Sequence, residues 1–347
     1  MPILAIDRLI GNPSVVNFAA GQPVQQHLQD SYAMDHLAFR LTGQLVLASY
    51  SAAPTKFVES IENLIQSLGL SATGNGPGAT TDQITNTDFA FHAFKTRMME
   101  GTAATRTDVG TANGTYLFET NAKHYFVDPR SNASGLTRLF TSLLSSLTAT
   151  YQFRDASAMV TGGTGGTATL SNVQLTVQSR EYLGVSAPKP SPYTKLSQRT
   201  FNILQSANAF RCDRVPVANV LRRQYFKGMV GANAYSDPSD AIFGATGKPE
   251  GPHVTLKINN ATDKLDQVYQ QLRADDKLLF GVESIPAGYA IYEPARNRKL
   301  ASSIPMAGVA NADNYIDVAF TGGSTNTIQI TDEEIVKLSA AQFNAAR

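Results

Sequence analysis

The segment Asp35-His36-Leu37-Ala38-Phe39-Arg40-Leu41-Thr42-Gly43-Gln44-Leu45-Val46-Leu47-Ala48 sets Leu37, Phe39, Leu41, Leu45 and Leu47 against His36, Arg40, Thr42 and Gln44. Side chains of an extended chain alternate between faces, so this period of two predicts a long strand with one buried and one wet face. The same alternation returns at Leu147, Ala149, Tyr151 and Phe153, and again at Val173, Leu175 and Val177. One wet face per strand is the signature of antiparallel sheets.

Helical spacing interrupts the strands twice in the first half. Phe91, Phe94 and Met98 share one helical face, with Thr87 as the expected cap and Gly101 as the stop. Phe57, Ile61, Leu64, Ile65 and Leu68 also fit a helix, but Leu64, Leu68 and Leu70 fit a strand, so a short helix running into a strand near Gln66–Thr73 is expected. Glycine-rich turns follow at Gly74–Gly78 and Gly162–Gly166.

Ala187-Pro188-Lys189-Pro190-Ser191-Pro192, near the midpoint, imposes an extended, donor-poor connector. Beyond it the pattern repeats, with strands expected at Thr200–Ala209, Val220–Val230 and Val254–Ile258. A helix is expected over Asp263–Arg273 capped by Thr262, then strands at Leu278–Glu283, Gly288–Tyr292, Tyr315–Phe320 and Thr327–Ile330. Thr331 and Glu334 form a capping box that opens a C-terminal helix carrying Ile335, Leu338 and Phe343. Many short strands, few helices and no regular β-helix alternation predict an all-β protein of two tandem β-sandwiches with short inserted helices. The expected divisions are an N-terminal arm over 1–20, a first domain over 21–187, a linker over 188–192 and a second domain over 193–347.

The chain has 347 residues, enough for about two ordinary domains. Charged residues are only 16% of it, against about 25% in an average protein, so Ser, Thr, Asn, Gln and Gly supply much of the polar surface. Lys plus Arg is 29 and Asp plus Glu 28, with no basic block, which argues against direct binding of nucleic acid. Cys212 is the single cysteine, so neither an intrachain disulfide nor a cysteine-rich zinc site is available, and it reads as a small buried hydrophobe. Met1–Leu9 lacks the basic start of a secretory signal, and Leu139–Phe153 is interrupted by hydroxyl residues, so no transmembrane helix is expected. Synthesis in a cytoplasm is the expectation.

Searches for chemistry assign no catalytic, cofactor-binding or metal residue. Gly244-Ala245-Thr246-Gly247-Lys248-Pro249 superficially looks like a phosphate loop, but Ile242 stands where a glycine is required and Pro249 replaces the magnesium-holding hydroxyl. The glycines of 162–166 miss the dinucleotide spacing at Ala168. His27, His36, His92, His124 and His253 are scattered singly and read as surface or hydrogen-bonded strand residues. Arg211 beside Cys212 could lower a thiol pKa, a weak signal for a nucleophile. Asp275, Asp276, Glu283 and Glu293 are the carboxylates a glycosidase could use, but they carry no distinguishing pattern and read as solvated loop and strand-end charges. The absence of Trp disfavours a sugar-binding module, and Asn113, Asn132 and Asn260 lie in chance sequons.

The order of features is itself informative. Tyr32–Ala48 followed by Phe57–Gly74, and Val215–Val230 followed by Val254–Leu272, resemble the successive jelly rolls of double jelly-roll major capsid proteins of the adenovirus and tectivirus lineage. Within that lineage the sequence looks like the small coat proteins of tailless icosahedral bacteriophages with an internal membrane, corticovirus-like or finnlakevirus-like. The resemblance covers roughly residues 20–335 and rests on arrangement, since the lineage has no short diagnostic motif. It implies two upright jelly rolls per subunit and a homotrimer with a near-hexagonal outline. Such capsomers would tile an icosahedral virion shell together with penton and minor capsid proteins. It also implies tower or joint loops, for which Ser71–Asp88 and Ala232–Pro252 are candidates, and membrane contact by Met1–Gly21, although Asp7 favours packing of that arm under a neighbouring subunit. Low charge suits the broad lateral faces of a shell protein, because interface centres are depleted of charge. A β-sandwich polysaccharide hydrolase, and a receptor-binding adhesin or spike module present in few copies, are the competing readings.

Overall fold

The computed structural model describes residues 4–12, 15–28, 32–74, 80–101, 106–131, 134–188, 191–214, 219–231, 237–244, 249–259, 262–297, 299, 302–319 and 326–337. The chain divides into two compact units, one of residues 1–130 with 134–195 and one of residues 131–133 with 196–347.

In the first unit the main strands are β1 (Leu4–Leu9), β2 (Pro23–Leu28), β3 (Ala33–Ala48), β4 (Ile65–Gly74), β5 (Thr81–Thr87), β6 (Gly114–Tyr125), β7 (Leu144–Phe153) and β8 (Thr167–Leu183). Helix α1 (Phe89–Glu100) lies between β5 and β6. One sheet runs β1-β8-β3-β6 and the other β2-β7-β4-β5, all antiparallel. This strand order is a jelly roll. The alternation of β3 decides which face is buried: Leu37, Phe39, Leu41, Leu45 and Leu47 are enclosed, and Phe39 meets Tyr151 of the opposite sheet edge-to-face at 6.4 Å. On the outer face Arg40 donates to both carboxylate oxygens of Glu119 on β6, at 2.8 and 2.9 Å.

The second unit is built from β9 (Tyr193–Ile203), β10 (Ala207–Arg214), β11 (Val220–Val230), β12 (His253–Ile258), β13 (Thr262–Val268), α2 (Tyr269–Phe280), β14 (Tyr289–Tyr292), β15 (Ala312–Val318) and β16 (Asn326–Val336). Its sheets run β9-β16-β11-β14 and β10-β15-β12-β13, again with the helix between the fifth and sixth strands. Strand for strand, this is the order of the first unit. Its core joins Leu221 and Phe226 of β11, Ile328 and Ile330 of β16, and Val254 and Leu256 of β12.

Several expectations need correction. Leu4–Leu9, read as part of an arm, is the outer strand of the first unit's sheet, paired from Leu4↔Leu183 to Leu9↔Gln178. The helix expected over 263–273 begins only at Tyr269. Thr262–Val268 instead pairs with β12, because the three-residue spacing of Leu265 and Val268 fits the end of a strand that runs into a helix. Of Leu278–Glu283, expected as a strand, Leu278–Phe280 end α2, which Gly281 closes at φ +66°. Thr200–Ala209 is split by a turn, so that its two parts belong to β9 and β10. Thr331 and Glu334 do not open a helix: they lie in β16, where buried arginines hold the neighbouring carboxylates. Leu338 and Phe343 lie outside the described residues. The cap of α1 is Asp88, which accepts from the Phe91 N–H at 2.6 Å; Thr87 bonds His92 instead. The short helix expected to run into a strand near Gln66–Thr73 is present as the single 3-10 turn Glu62–Leu64, which leads directly into β4.

Candidate functional site

Most of the described residues singled out for chemistry are tied into the fold. Asp275 pairs with Arg296 at 2.9 Å and accepts from Gln267 and Gln271 at 2.7 and 2.9 Å. Asp276 is buried inside α2 and accepts the Ile291 N–H at 2.7 Å; burial pushes its carboxyl up to about 8. Glu293 is buried against Arg223, whereas Glu283 is exposed. Two of these four acids are thus interior groups with backbone or guanidinium partners.

Cys212 is fully enclosed, and burial pushes its thiol up to about 12, the reverse of activation. Arg211 turns to Asp213 and Asp313 at 2.8 and 3.0 Å. The turn at 162–166 is held under the Tyr50 ring: a Cβ on Gly166 or Gly163 would stand 2.2 or 2.7 Å from it, and β8 follows directly. Residues 245–248 of the phosphate-loop lookalike lie outside the described residues, as do Asn132 and Asn260. The Asn113 side chain exchanges two 3.0 Å hydrogen bonds with the Tyr50 backbone.

Of the histidines, His253 bonds Asp266 at 2.8 Å and His27 approaches Thr148 at 3.4 Å, as residues of wet strand faces do. His92 and His124 correct the expectation, since both are wholly buried and one of them sits on a helix. Among the described residues, no group of three or more His, Cys, Asp or Glu side chains is placed to hold a metal ion.

What the surface offers instead is breadth. An open depression of about 400 Å³ on the outer face of the first unit's larger sheet is lined by Thr42, Gly43, Gln44, Leu117, Phe118 and Glu119, and Leu117 is 65% exposed. In the second unit Leu204 and Leu278 are 82% and 84% exposed. Leu117 stands on a sheet face, Leu204 in the turn between β9 and β10 and Leu278 on α2; such isolated exposed apolar side chains suit shallow packing against protein better than the capture of a small molecule.

A feature missed in the sequence lies on β11 and β16. Arg214 donates to Asp332 at 3.0 Å and to Glu334. Arg223 holds Glu293 and reaches Glu333, which also accepts from the Tyr225 hydroxyl at 2.9 Å. All of these side chains are buried. The signal was present as Arg222-Arg223 inside an apolar run and Asp332-Glu333-Glu334 at a strand end, two blocks of opposite charge that antiparallel pairing brings together.

Two complete eight-stranded jelly rolls in one chain define the double jelly-roll fold. The chain superposes on the atomic structure of Sulfolobus turreted icosahedral virus with a TM-score of 0.70 at 12% identity, covering 99% of this chain and 95% of that one. The crystal structure of the STIV MCP gives 0.69 at 12% identity over 97% of each chain. The major capsid protein P2 from bacteriophage PM2 gives 0.60 at 11% identity, over 96% and 99% of the two chains. No protein-family model and no curated protein matches the sequence.

Proposed function

We propose that this chain is the major capsid protein of an icosahedral virus and acts as a structural protein of the virion shell. The observation that carries the reading is the likeness to viral coat proteins over nearly the full length of both chains, through both jelly rolls in order. A partial match would fit any β-sandwich module; one that leaves neither a jelly roll nor an appended domain over supports the same job. In this reading three copies form a pseudo-hexagonal capsomer, six jelly rolls per ring, and capsomers associate through weakly charged lateral faces. Penton and minor capsid proteins fill the remaining positions, and an internal membrane lies beneath. No enzymatic step is assigned, and the geometry of Asp275, Asp276 and Glu293 favours neither a hydrolase nor a spike.

Light scattering coupled to size exclusion tests this directly. The full chain is expected to elute at three times its monomer mass at micromolar concentration, and a stable monomer there would count against a capsomer. Quantitative gels of particles should show the chain as the dominant band; a trace band would favour a spike.

A further inference from the structure

His124, at the end of β6, is 0% exposed, and neither ring nitrogen has a hydrogen-bond partner. Its ring packs edge-to-face on Phe126, with centroids 4.8 Å apart, and on His92 of α1 at 5.4 Å. His92 is equally enclosed; its Nε2 bonds the Thr87 hydroxyl at 2.8 Å, and its ring rests on Phe91 and Phe39 at 5.6 and 6.5 Å. A neutral imidazole carries one N–H and one lone pair, so His124 leaves a donor and an acceptor unanswered inside an aromatic cage. Phe or Leu would fill that volume at no such cost. A protonated ring there would be a buried cation, which a core tolerates only beside an anion.

For His124 the surrounding charges do not supply one, and for His92 the capping Asp88 acts against the nearby Lys95 without outweighing burial. From α1, buried Lys95 bears on both rings, Asp88 is committed to the helix cap, and Glu100 holds Lys123 and the Tyr125 hydroxyl of β6. From β3, Asp35 is taken by Arg138 at 2.6 Å, and His36 lies against Tyr125 at 5.8 Å. The turn before β4 brings Glu62, which accepts from Thr120 at 3.0 Å and faces Arg106 at 3.7 Å. Thr85 and Thr87 of β5 are neutral, Tyr151 of β7 bonds Gln26, and Asp128 beyond β6 accepts from the Arg130 N–H.

We propose that the His92–His124 pair is an acid-operated release: two neutral imidazoles clamp α1 to β6, and proton uptake frees the helix and opens the first unit. The sign follows from linkage. Burial, reinforced by Lys95, holds His92 down at about 3, and burial with the His92 and Lys95 charges holds His124 well below its ordinary range. An exposed histidine titrates near 6.5, so the open form binds more protons than the closed form from about 6.5 downward. The clamp is therefore intact above that value and weakens as pH falls toward about 3. Each ring contributes about a tenfold rise in the opening constant per pH unit, roughly a hundredfold for the pair.

Hydrogen exchange on the full chain between pH 7.5 and 4.5 reads this directly. Protection factors of α1 and β6 amides, corrected for intrinsic exchange, should fall steeply below about pH 6.5, while those of α2 hold. His124→Phe should cut the slope to about tenfold per unit. Where that variant does not fold, the His124 ring resonance of the wild-type chain decides, and it should show no protonation while α1 remains protected. A flat α1 profile, an unchanged slope in H124F, or His124 titrating normally with α1 still protected would each overturn the proposal.

Discussion

Arg214 has no water to fall back on: it and its partners Asp332 and Glu334 are all buried. Removing Arg214 takes a guanidinium from buried Glu334, while Asp332 keeps Arg199 at 3.1 Å and Gln224 at 2.8 Å; breaking a buried pair in this way typically costs about 3–5 kcal/mol. Arg214→Met is accordingly expected to lower the stability of the second unit by that amount in urea titration, far more than loss of the exposed Arg40–Glu119 pair. Asp276 behaves in the opposite way. Its carboxyl is pushed up to about 8 by burial, above its ordinary 3.8, so the folded state holds a proton that the unfolded state releases. Its contribution is complete below about 4 and is lost as pH rises through about 8, at roughly 1.4 kcal/mol per unit. Asp276→Asn keeps an oxygen for the Ile291 N–H without the charge. Relative to wild type the variant should gain stability between pH 5 and 8, measured by chemical denaturation; a pH-independent difference would contradict the burial argument. The blocks Arg222-Arg223 and Asp332-Glu333-Glu334 are visible in the sequence, but their pairing is not, since about a hundred residues separate them, and nothing local to Asp276 marks it as buried.

Secondary structure was legible where one face is wet. The alternation of β3, β7 and β12 survives translation into structure because the sheets bury one side of each strand. It failed where a strand is buried on both faces or abuts a helix. β16 carries carboxylates inward that mimic a capping box, and β13 runs into α2 without a polar cap, since Val268 contributes no side-chain bond. The outer strand β1 was also misread, for its short apolar run carries Asp7 and Arg8. In the sheet Arg8 pairs with Glu181 at 2.9 Å and Asp7 with Arg180 at 2.6 Å, both on β8. Deleting residues 1–10 would therefore strip a strand, with the fully buried Ile10, from the first jelly roll. Expression of that truncation should give insoluble or partly unfolded protein by circular dichroism, whereas an arm would be removed without effect on the fold.

At the scale of the whole chain, the repeated pattern of strands foretold two similar halves, and the order of features suggested their type. The identity of the two strand orders, with a helix at the same point in each, could only come from coordinates, because pairing across a hundred residues leaves no local trace. The halves also differ in chemistry. Most carboxylates finish titrating below pH 5, so between 5 and 7.5 the groups that matter are His92, His124 and His36, which burial holds down at about 4, in the first unit and Asp276 in the second. Urea unfolding should accordingly resolve into two transitions that move apart on acidification, the first unit weakening as the second gains. Coincident transitions shifting together would show that these groups do not set the balance.

The pairing of β1 with β8 carries a consequence for biosynthesis. Leu4 meets Leu183, so the earliest strand to be made has its partner among the last of the same jelly roll. A nascent chain must keep that edge unpaired while some 170 further residues are added, as the register from Leu9↔Gln178 to Leu4↔Leu183 requires. Contacts of such long sequence separation form slowly and leave strand edges open to wrong neighbours. Translation speed and chaperone supply, more than final stability, would then limit how much correctly closed subunit a cell can deliver.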